Sequence, residues 1–544
     1  MIAPTVTIHG AAQTVTGSCF ELALGKRNLL VDCGLFQGSR TLERLNREPF
    51  AFAAGRLDAV VLTHAHLDHS GLLPRLAAEG FAGTIWCTGA TADLLEVMLA
   101  DAAHIQEQEA RRRNRRADRA DLPPVRPLYT SEDAERAVAL IRTASYEEQF
   151  EPAPGFQGRF WNAGHILGSA SAEVFAGGSR LLFSGDLGPQ HKAFHADPVG
   201  PHGVDHLFCE STYGDRDRDD ASPDKRRALL ETEVKEALRQ GGNLVIPAFA
   251  LERTQELLLD LSVLIDSGRL RSTPIFIDSP LASRATEVFA RHQASLEDLG
   301  SGDMFGHPAF HFIDSVDASM RLNHVSGAII IAASGMCEAG RIRHHLRHNL
   351  PRGDSTILFV GFQAQGSLGR TILEGAKRVR LSGRDVAVRA RINKLDVYSA
   401  HADREELVAW MKARRPVRGS VFLTHGEPQG LEGLRSAVEQ DFASVILPEI
   451  GERYELPAGA VARRLTTGRM DLREAVGRDW QNDYADFAVN LKQRLEHVEP
   501  AERREAIAQL RGVLERFSAH RDARKAARAA PSARPAAAGR PASA

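Results

Sequence analysis

Through roughly residue 455, short β-branched or aliphatic runs alternate with longer stretches whose apolar residues recur at helical spacing, the pattern of layered α/β folds. The runs predict strands at 28–32, 58–63, 180–183, 205–209, 243–246, 275–278, 328–332, 356–360 and 420–424. Most end at a polar residue able to do chemistry. Strand ends of α/β sheets open into the crevice where ligands bind, so Asp32, His64, Asp186, Glu210, Asp278 and His425 are expected to face a shared site.

From about Met470 the pattern becomes purely helical. Trp480, Tyr484, Phe487 and Leu491 form one apolar stripe, and Ile507, Leu510, Leu514 and Phe517 form another. With Glu499-Pro500 between them they predict a helical hairpin. Its stripes would either cover the preceding fold or form a homodimer seam. Beyond Ala519 the chain is rich in Ala, Arg and Pro and poor in large apolar residues, so 520–544 are expected to form a disordered basic tail.

Composition narrows the class. With 43% hydrophobic and 25% charged residues in 544, the chain sits near globular averages. Its longest apolar stretches, such as 327–333, fall far short of the ~20 residues of a membrane span, so neither a membrane segment nor a secretory signal is expected. Five cysteines, none in a C-x-x-C pair, argue against a disulfide framework and a thiolate metal site, and fit a reducing cytoplasm. The net charge of −2 conceals an asymmetry: residues 521–544 carry six basic residues and one acid, the rest 62 against 69. Any polyanion would therefore be met by local patches rather than by global charge. One candidate patch is the run Arg111, Arg112, Arg113, Arg115 and Arg116 with Arg119 behind it, for which the alternative is a plain solvated helix face.

The decisive stretch is His64-Ala65-His66-Leu67-Asp68-His69, directly after an apolar strand. Imidazole nitrogens and a carboxylate at this density suit a borderline divalent ion such as zinc. In an extended backbone His64 and His66 share a face, while the next turn carries Asp68 and His69 toward a second ion. Distant partners are on offer in His165, Asp186 and His425, each of which is ambiguous taken alone.

These residues resemble the metallo-β-lactamase superfamily and, within it, the β-CASP group of nucleic-acid hydrolases. The likeness runs from Gly10 to about Glu455. Residues 10–18 and Asp32 resemble the opening strand, loop and first motif; His64, His66, Asp68 and His69 match the second, His165 the third and Asp186 the fourth. More than 200 residues then separate Asp186 from His425, where a β-CASP domain would be inserted. Glu210, His401 and His425 match that group's motifs A, B and C, and a histidine at motif C resembles the RNA-processing branch, relatives of the cleavage-and-polyadenylation endonuclease subunit. Because the likeness begins at the first residues, no KH-like N-terminal extension is expected. Similar family sequences include 247–250, 253–255, 278–282, 333–336 and 361–370.

The resemblance implies an α/β fold: a metallo-β-lactamase αββα sandwich (1–209 and 391–458) with an inserted β-CASP α/β domain (210–390), a helical extension (459–519) and the tail. It implies two zinc ions, with iron or manganese as alternatives, one held by His64, His66 and His165, the other by Asp68, His69 and His425, and Asp186 bridging. His401 would bind the phosphate or protonate the leaving oxygen, oriented by Glu210, and Asp32 would be a supporting carboxylate. Ser334 and Arg370 are candidates to cradle phosphates. The expected activity is hydrolysis of single-stranded RNA, endo- or exonucleolytic, through a hydroxide activated by two metals. A DNA nuclease of the same fold and a catalytically silent nucleic-acid-binding scaffold are the alternatives.

Overall fold

A computed structural model describes residues 2–38, 40–115, 123–218, 222–297, 305–361, 363, 367–381, 383–469, 471–472, 491, 495 and 498–529. The chain divides into two compact units, Met1–Asp479 and Trp480–Ala544.

Two large sheets form the heart of the first unit. The eight-stranded one runs, from edge to edge, through Arg463–Thr466, Arg453–Glu455, Thr5–Ile8, Phe20–Leu24, Arg27–Val31, Ala59–Val61, Thr84–Cys87 and Ile141–Thr143. The seven-stranded one runs through Val445–Ile446, Val421–Thr424, His206–Glu210, Ser179–Phe183, Ala170–Ala176, Phe156–Asn162 and Gln149–Ala153. Alternation along each strand decides which side chains meet between the sheets. Val6, Ile8, Val31, Ala59 and Val61 from one sheet pack with Phe160, Ala172, Val174, Phe183, Phe208 and Phe422 from the other. Outer faces are covered by helices: Leu30, Val60 and Leu62 pack with the long helix Gly89–Asn114 and its neighbours, while Leu182, Leu207, Val421 and Leu423 pack with Arg404–Lys412 and Pro428–Val438. The result is the four-layer αββα sandwich expected from the sequence.

After the strand His206–Glu210 the chain leaves this sandwich and builds a third sheet of six strands: Phe310–Phe312, Ile275–Ile277, Ile329–Ala332, Leu244–Pro247, Thr356–Phe359 and Arg391–Lys394. Every pairing in it is parallel. Strands such as Ile329–Ala332 are buried throughout, because helices cover both faces: Leu230, Leu257 and Leu261 on one side, Ile342, Leu346 and Ile372 on the other. The chain then returns to pair Val421–Thr424 with His206–Glu210 in parallel. Phe183, Phe208 and Phe422 lie in register on adjacent strands, their rings stacked 4.3 and 4.4 Å apart, so the carboxyl ends of these strands are set side by side.

Two boundaries differ from the sequence pattern. The helical extension was expected over 459–519, but Arg463–Thr466 is an edge strand of the eight-stranded sheet, and its four exposed residues carry no apolar alternation to betray it. The expected tail also begins late, since a helix runs over Pro500–Ala529; alanine and arginine are intrinsically strong helix formers. Trp480, Tyr484 and Phe487 of the expected hairpin, Arg116 and Arg119 of the basic run and Gly366 of the 361–370 motif lie outside the described residues. Arg111 and Arg113 sit exposed in the last turns of Gly89–Asn114, paired with Glu107 and Glu109 four residues back, as a solvated helix face would be. Among the described residues no helix is long and apolar enough to cross a membrane, and all five cysteines are free and buried.

Candidate functional site

The carboxyl ends of the two central sheets meet at one edge of the sandwich, and the histidines and carboxylates gather there. His64 follows the strand Ala59–Val61, and His66 caps a one-turn helix, Leu67–Ser70, that carries Asp68 and His69. That turn is pinned by backbone bonds from Ser18, Cys33 and Leu35 to the carbonyls of Asp68, His69 and Leu67, each 2.8 Å. Only glycine fits at position 34, where a Cβ would lie 1.7 Å from the Asp68 carbonyl oxygen.

Two groups of ligating atoms result, each with all atoms within 4.8 Å of one another: His64, His66, His165 and Asp186, and Asp68, His69, Asp186 and His425. Asp186 belongs to both. One of its oxygens lies 3.2 Å from His69 Nε2 and 3.4 Å from His425 Nδ1; the other lies 3.6 Å from both His64 Nε2 and His165 Nε2. A third group joins Asp186 to Glu210 and His401.

The bonding of these side chains fits a divalent metal. Both Asp186 carboxylate oxygens and His64 Nε2 are buried with no hydrogen-bond partner, an arrangement that costs free energy unless a cation takes the place of the missing donors. His69 donates from Nδ1 to Asp32 at 2.7 Å and His165 donates from Nδ1 to the Ala400 carbonyl at 2.9 Å, so each keeps its Nε2 lone pair for a ligand. His165 Nε2 faces His66 Nδ1 at 3.1 Å, and His69 Nε2 faces His425 Nε2 at 3.2 Å. Burial, reinforced by neighbouring imidazoles, holds His64 and His165 well below the usual histidine range, in the neutral form that ligation needs. Burial alone would raise Asp186, but His425 and His69 bring it well below the usual carboxylate range.

Asp32 stands behind the cluster as a support. Its carboxylate accepts from His69, from the Thr63 amide at 2.8 Å and hydroxyl at 3.0 Å, and from Ser18 Oγ at 3.2 Å. His401 precedes the helix Arg404–Lys412, whose capping box is built by Asp403 and Glu406. Its Nδ1 meets the Glu210 oxygens at 3.1 and 3.2 Å, and Glu210 also accepts the Leu187 amide at 2.6 Å. Burial lowers the proton affinity of His401, and the Glu210 carboxylate more than offsets it.

One residue expected at the cluster is engaged elsewhere, and the two phosphate-cradling candidates lie apart from it. Asp278, thought to share this site, instead accepts from Arg341 at 2.7 Å and His345 at 2.6 Å and from the Ser319 hydroxyl, because its strand belongs to the six-stranded sheet. Ser334 Oγ bonds to Ala339, and Arg370 pairs with Glu374 at 2.6 Å; among the described residues neither hydrogen-bonds to the cluster. Sequence reasoning passed over the Ala400 carbonyl, Thr63 and Ser18, since nothing in their residue types marks them.

Comparison with known proteins agrees with this geometry. Residues 13–228 match the model of the metallo-beta-lactamase superfamily, 254–372 the Beta-Casp domain and 385–448 the Zn-dependent metallo-hydrolase RNA specificity domain. "Ribonuclease TTHA0252" of Thermus thermophilus is 36% identical over 81% of this chain and 98% of its own length. The chain belongs to the β-CASP metallo-β-lactamase family. An "RNase J-like protein" of Methanocaldococcus jannaschii is 30% identical over 77% of this chain and 91% of its own. A "Transcription termination factor FttA" of Methanosarcina mazei is 29% identical over 80% of this chain and 68% of its own. As a β-CASP enzyme, the chain is a metal-dependent hydrolase, and its fold implies a divalent-metal centre.

Proposed function

We propose that this β-CASP enzyme is a ribonuclease that holds two zinc ions and cuts phosphodiester bonds of single-stranded RNA, in the reducing cytoplasm that its five free thiols suit. The observation that carries the reading is the pair of ligand groups sharing the orphaned Asp186 carboxylate, with the His401–Glu210 pair alongside. The relatives named as ribonucleases support RNA as the substrate.

His64, His66 and His165 would hold one ion, Asp68, His69 and His425 the other, and Asp186 both. When bound, such ions supply a water nucleophile at neutral pH and counter-charge for the scissile phosphate. The chain's own residues do the rest. Glu210 keeps a proton on His401 Nδ1, which leaves Nε2 as the atom that delivers a proton to the departing oxygen. Asp32 holds the His69 ring in one tautomer and orientation. Ser334, in the loop after Ile329–Ala332, and Arg370, in the helix Leu368–Leu373, would contact phosphates further along the RNA.

The test is incubation of zinc-loaded enzyme with end-labelled single-stranded RNA, single-stranded DNA and duplex, alongside the Asp186→Ala variant. Cleavage of RNA that the variant loses is the expected result. Preferential cleavage of DNA would replace the substrate, and intact RNA with both proteins would overturn the activity.

A further inference from the structure

Next to the loop that carries His165 lies a buried charge cluster that the proposed chemistry does not use. Lys192, on the long loop after Ser179–Phe183, has a side chain only 2% exposed. Its ammonium donates to the His165 carbonyl and lies 3.0 Å from Glu252 Oε1. His195 Nε2 donates to the same oxygen at 2.7 Å, while Glu252 Oε2 accepts the Leu167 amide at 3.3 Å. Glu252 does not come from the sandwich. It lies between the strand Leu244–Pro247 of the six-stranded sheet and the helix Arg253–Asp266, so a carboxylate from the inserted sheet reaches the metal-ligand loop at two points.

Two features of this contact run against its stability. Burying a lysine and a glutamate together gains little over apolar side chains of the same shape. Glu252 also stands at φ 68°, ψ −59°, with the Arg253 amide donating to the Leu251 carbonyl at 2.9 Å, which is the rare, strained γ-turn. Strain of this kind, held in place by its surroundings, accumulates at functional sites.

Apolar packing also holds the loop it grips, since Ile166 and Leu167 share a buried cluster with Leu251, Leu259, Val288 and Phe289 of the inserted domain, while its other hydrogen bonds come from the sandwich side. Thr88 and Thr91 hydroxyls donate to the Gly168 carbonyl at 2.6 and 2.8 Å, and Ser169 Oγ accepts from the His165 and Ile166 amides. Gly168, at φ 78°, would place a Cβ 2.5 Å from the Thr91 amide nitrogen, so the loop sits close against the long helix. To that apolar contact Glu252 adds polar holds from the inserted sheet's side, one through Lys192 to the His165 carbonyl and one to the Leu167 amide.

We propose that Lys192 and Glu252 are positioning residues that set the His165 backbone from the inserted sheet, so that metal retention depends on how that sheet docks on the sandwich. The inference rests on the metal-centre reading above. Zinc-loaded full-length enzyme and its Lys192→Met and Glu252→Gln variants are titrated with a chromophoric chelator, with thermal melts and steady-state RNA cleavage in parallel. Both variants should release zinc at 10- to 100-fold lower chelator strength, with a lowered kcat that excess zinc restores and an unchanged KM. A lowered melting temperature with wild-type zinc retention would reduce the cluster to a structural role and overturn the proposal. Should Lys192→Met fail to fold, the apolar pair Lys192→Met/Glu252→Leu removes both charges at once, and zinc retention equal to wild type in that protein overturns it equally. If the wild-type enzyme itself held no zinc, the metal-centre reading would fall, and this inference with it.

Discussion

Replacing Glu210 by Gln probes the His401 pair with little change of shape. Glu210 is 1% exposed and accepts from the Leu187 amide at 2.6 Å as well as from His401. A glutamine would keep a carbonyl oxygen within reach of both Leu187 and His401 Nδ1, but it would remove the negative charge that stabilises the imidazolium and set an NH2 against Nδ1 in place of the second oxygen. At an effective dielectric of about 20, two unit charges 4 Å apart are worth about 4 kcal/mol, and desolvation of the imidazolium cancels part of that. The expected fall in single-turnover rate is about 10- to 100-fold, or about 1.4–2.7 kcal/mol. His401→Ala removes the proton donor itself and should cost about 10²–10⁴-fold. Rates are measured on a labelled RNA oligonucleotide with saturating enzyme, after zinc content has been matched between proteins. Because Glu210 is argued to act through His401, the double variant should be no slower than His401→Ala alone. Additive losses would refute the coupling, and a His401→Ala rate within twofold of wild type would refute the proton role.

Asp32→Asn should weaken zinc binding about 10- to 100-fold by loosening the His69 ring, read by chelator competition; unchanged affinity would mean that Ser18 and Thr63 need no carboxylate between them. Asp278→Ala should destabilise the enzyme by about 3–5 kcal/mol in urea melts while leaving zinc content intact, since its partners are Arg341, His345 and Ser319. Burial raises the Asp278 carboxyl, but those three partners bring it below the usual range. The stability it contributes is therefore fully present above the unfolded-state value near 4 and is lost as pH falls through its depressed value in the fold. The wild-type advantage over Asp278→Ala should accordingly be full at pH 7 and shrink in acid, and a difference that does not change with pH would contradict the assignment.

Particular residues mark how far the sequence could be read. His64, His66, Asp68 and His69 are legible because they sit within six positions and the local turn alone gathers them. The strand ends Asp186, Glu210 and His425 were also legible as polar residues closing apolar runs. The same rule failed for Asp278, which closes an equally apolar run, because a strand end points to a site only within its own sheet. Arg463–Thr466 escaped notice since an exposed edge strand needs no apolar face. Lys192 and Glu252 carried no signal at all, as a buried ion pair looks in sequence like two surface charges.

The interruption between Asp186 and His425 was implied by the family resemblance, whereas composition and local spacing determined the layered α/β class and the nitrogen-and-carboxylate chemistry of the centre. Those properties are short-range: they depend on which side chains follow one another at strand or helix period. The family resemblance implied the shared Asp186 and the Glu210–His401 pair, but only the tertiary structure gave their distances, and it alone showed that the inserted sheet reaches the His165 loop through Glu252. Such contacts arise where parallel strands far apart in the chain end side by side, and ångström-scale juxtaposition of that kind is set by sheet pairing and packing rather than by the order of residues.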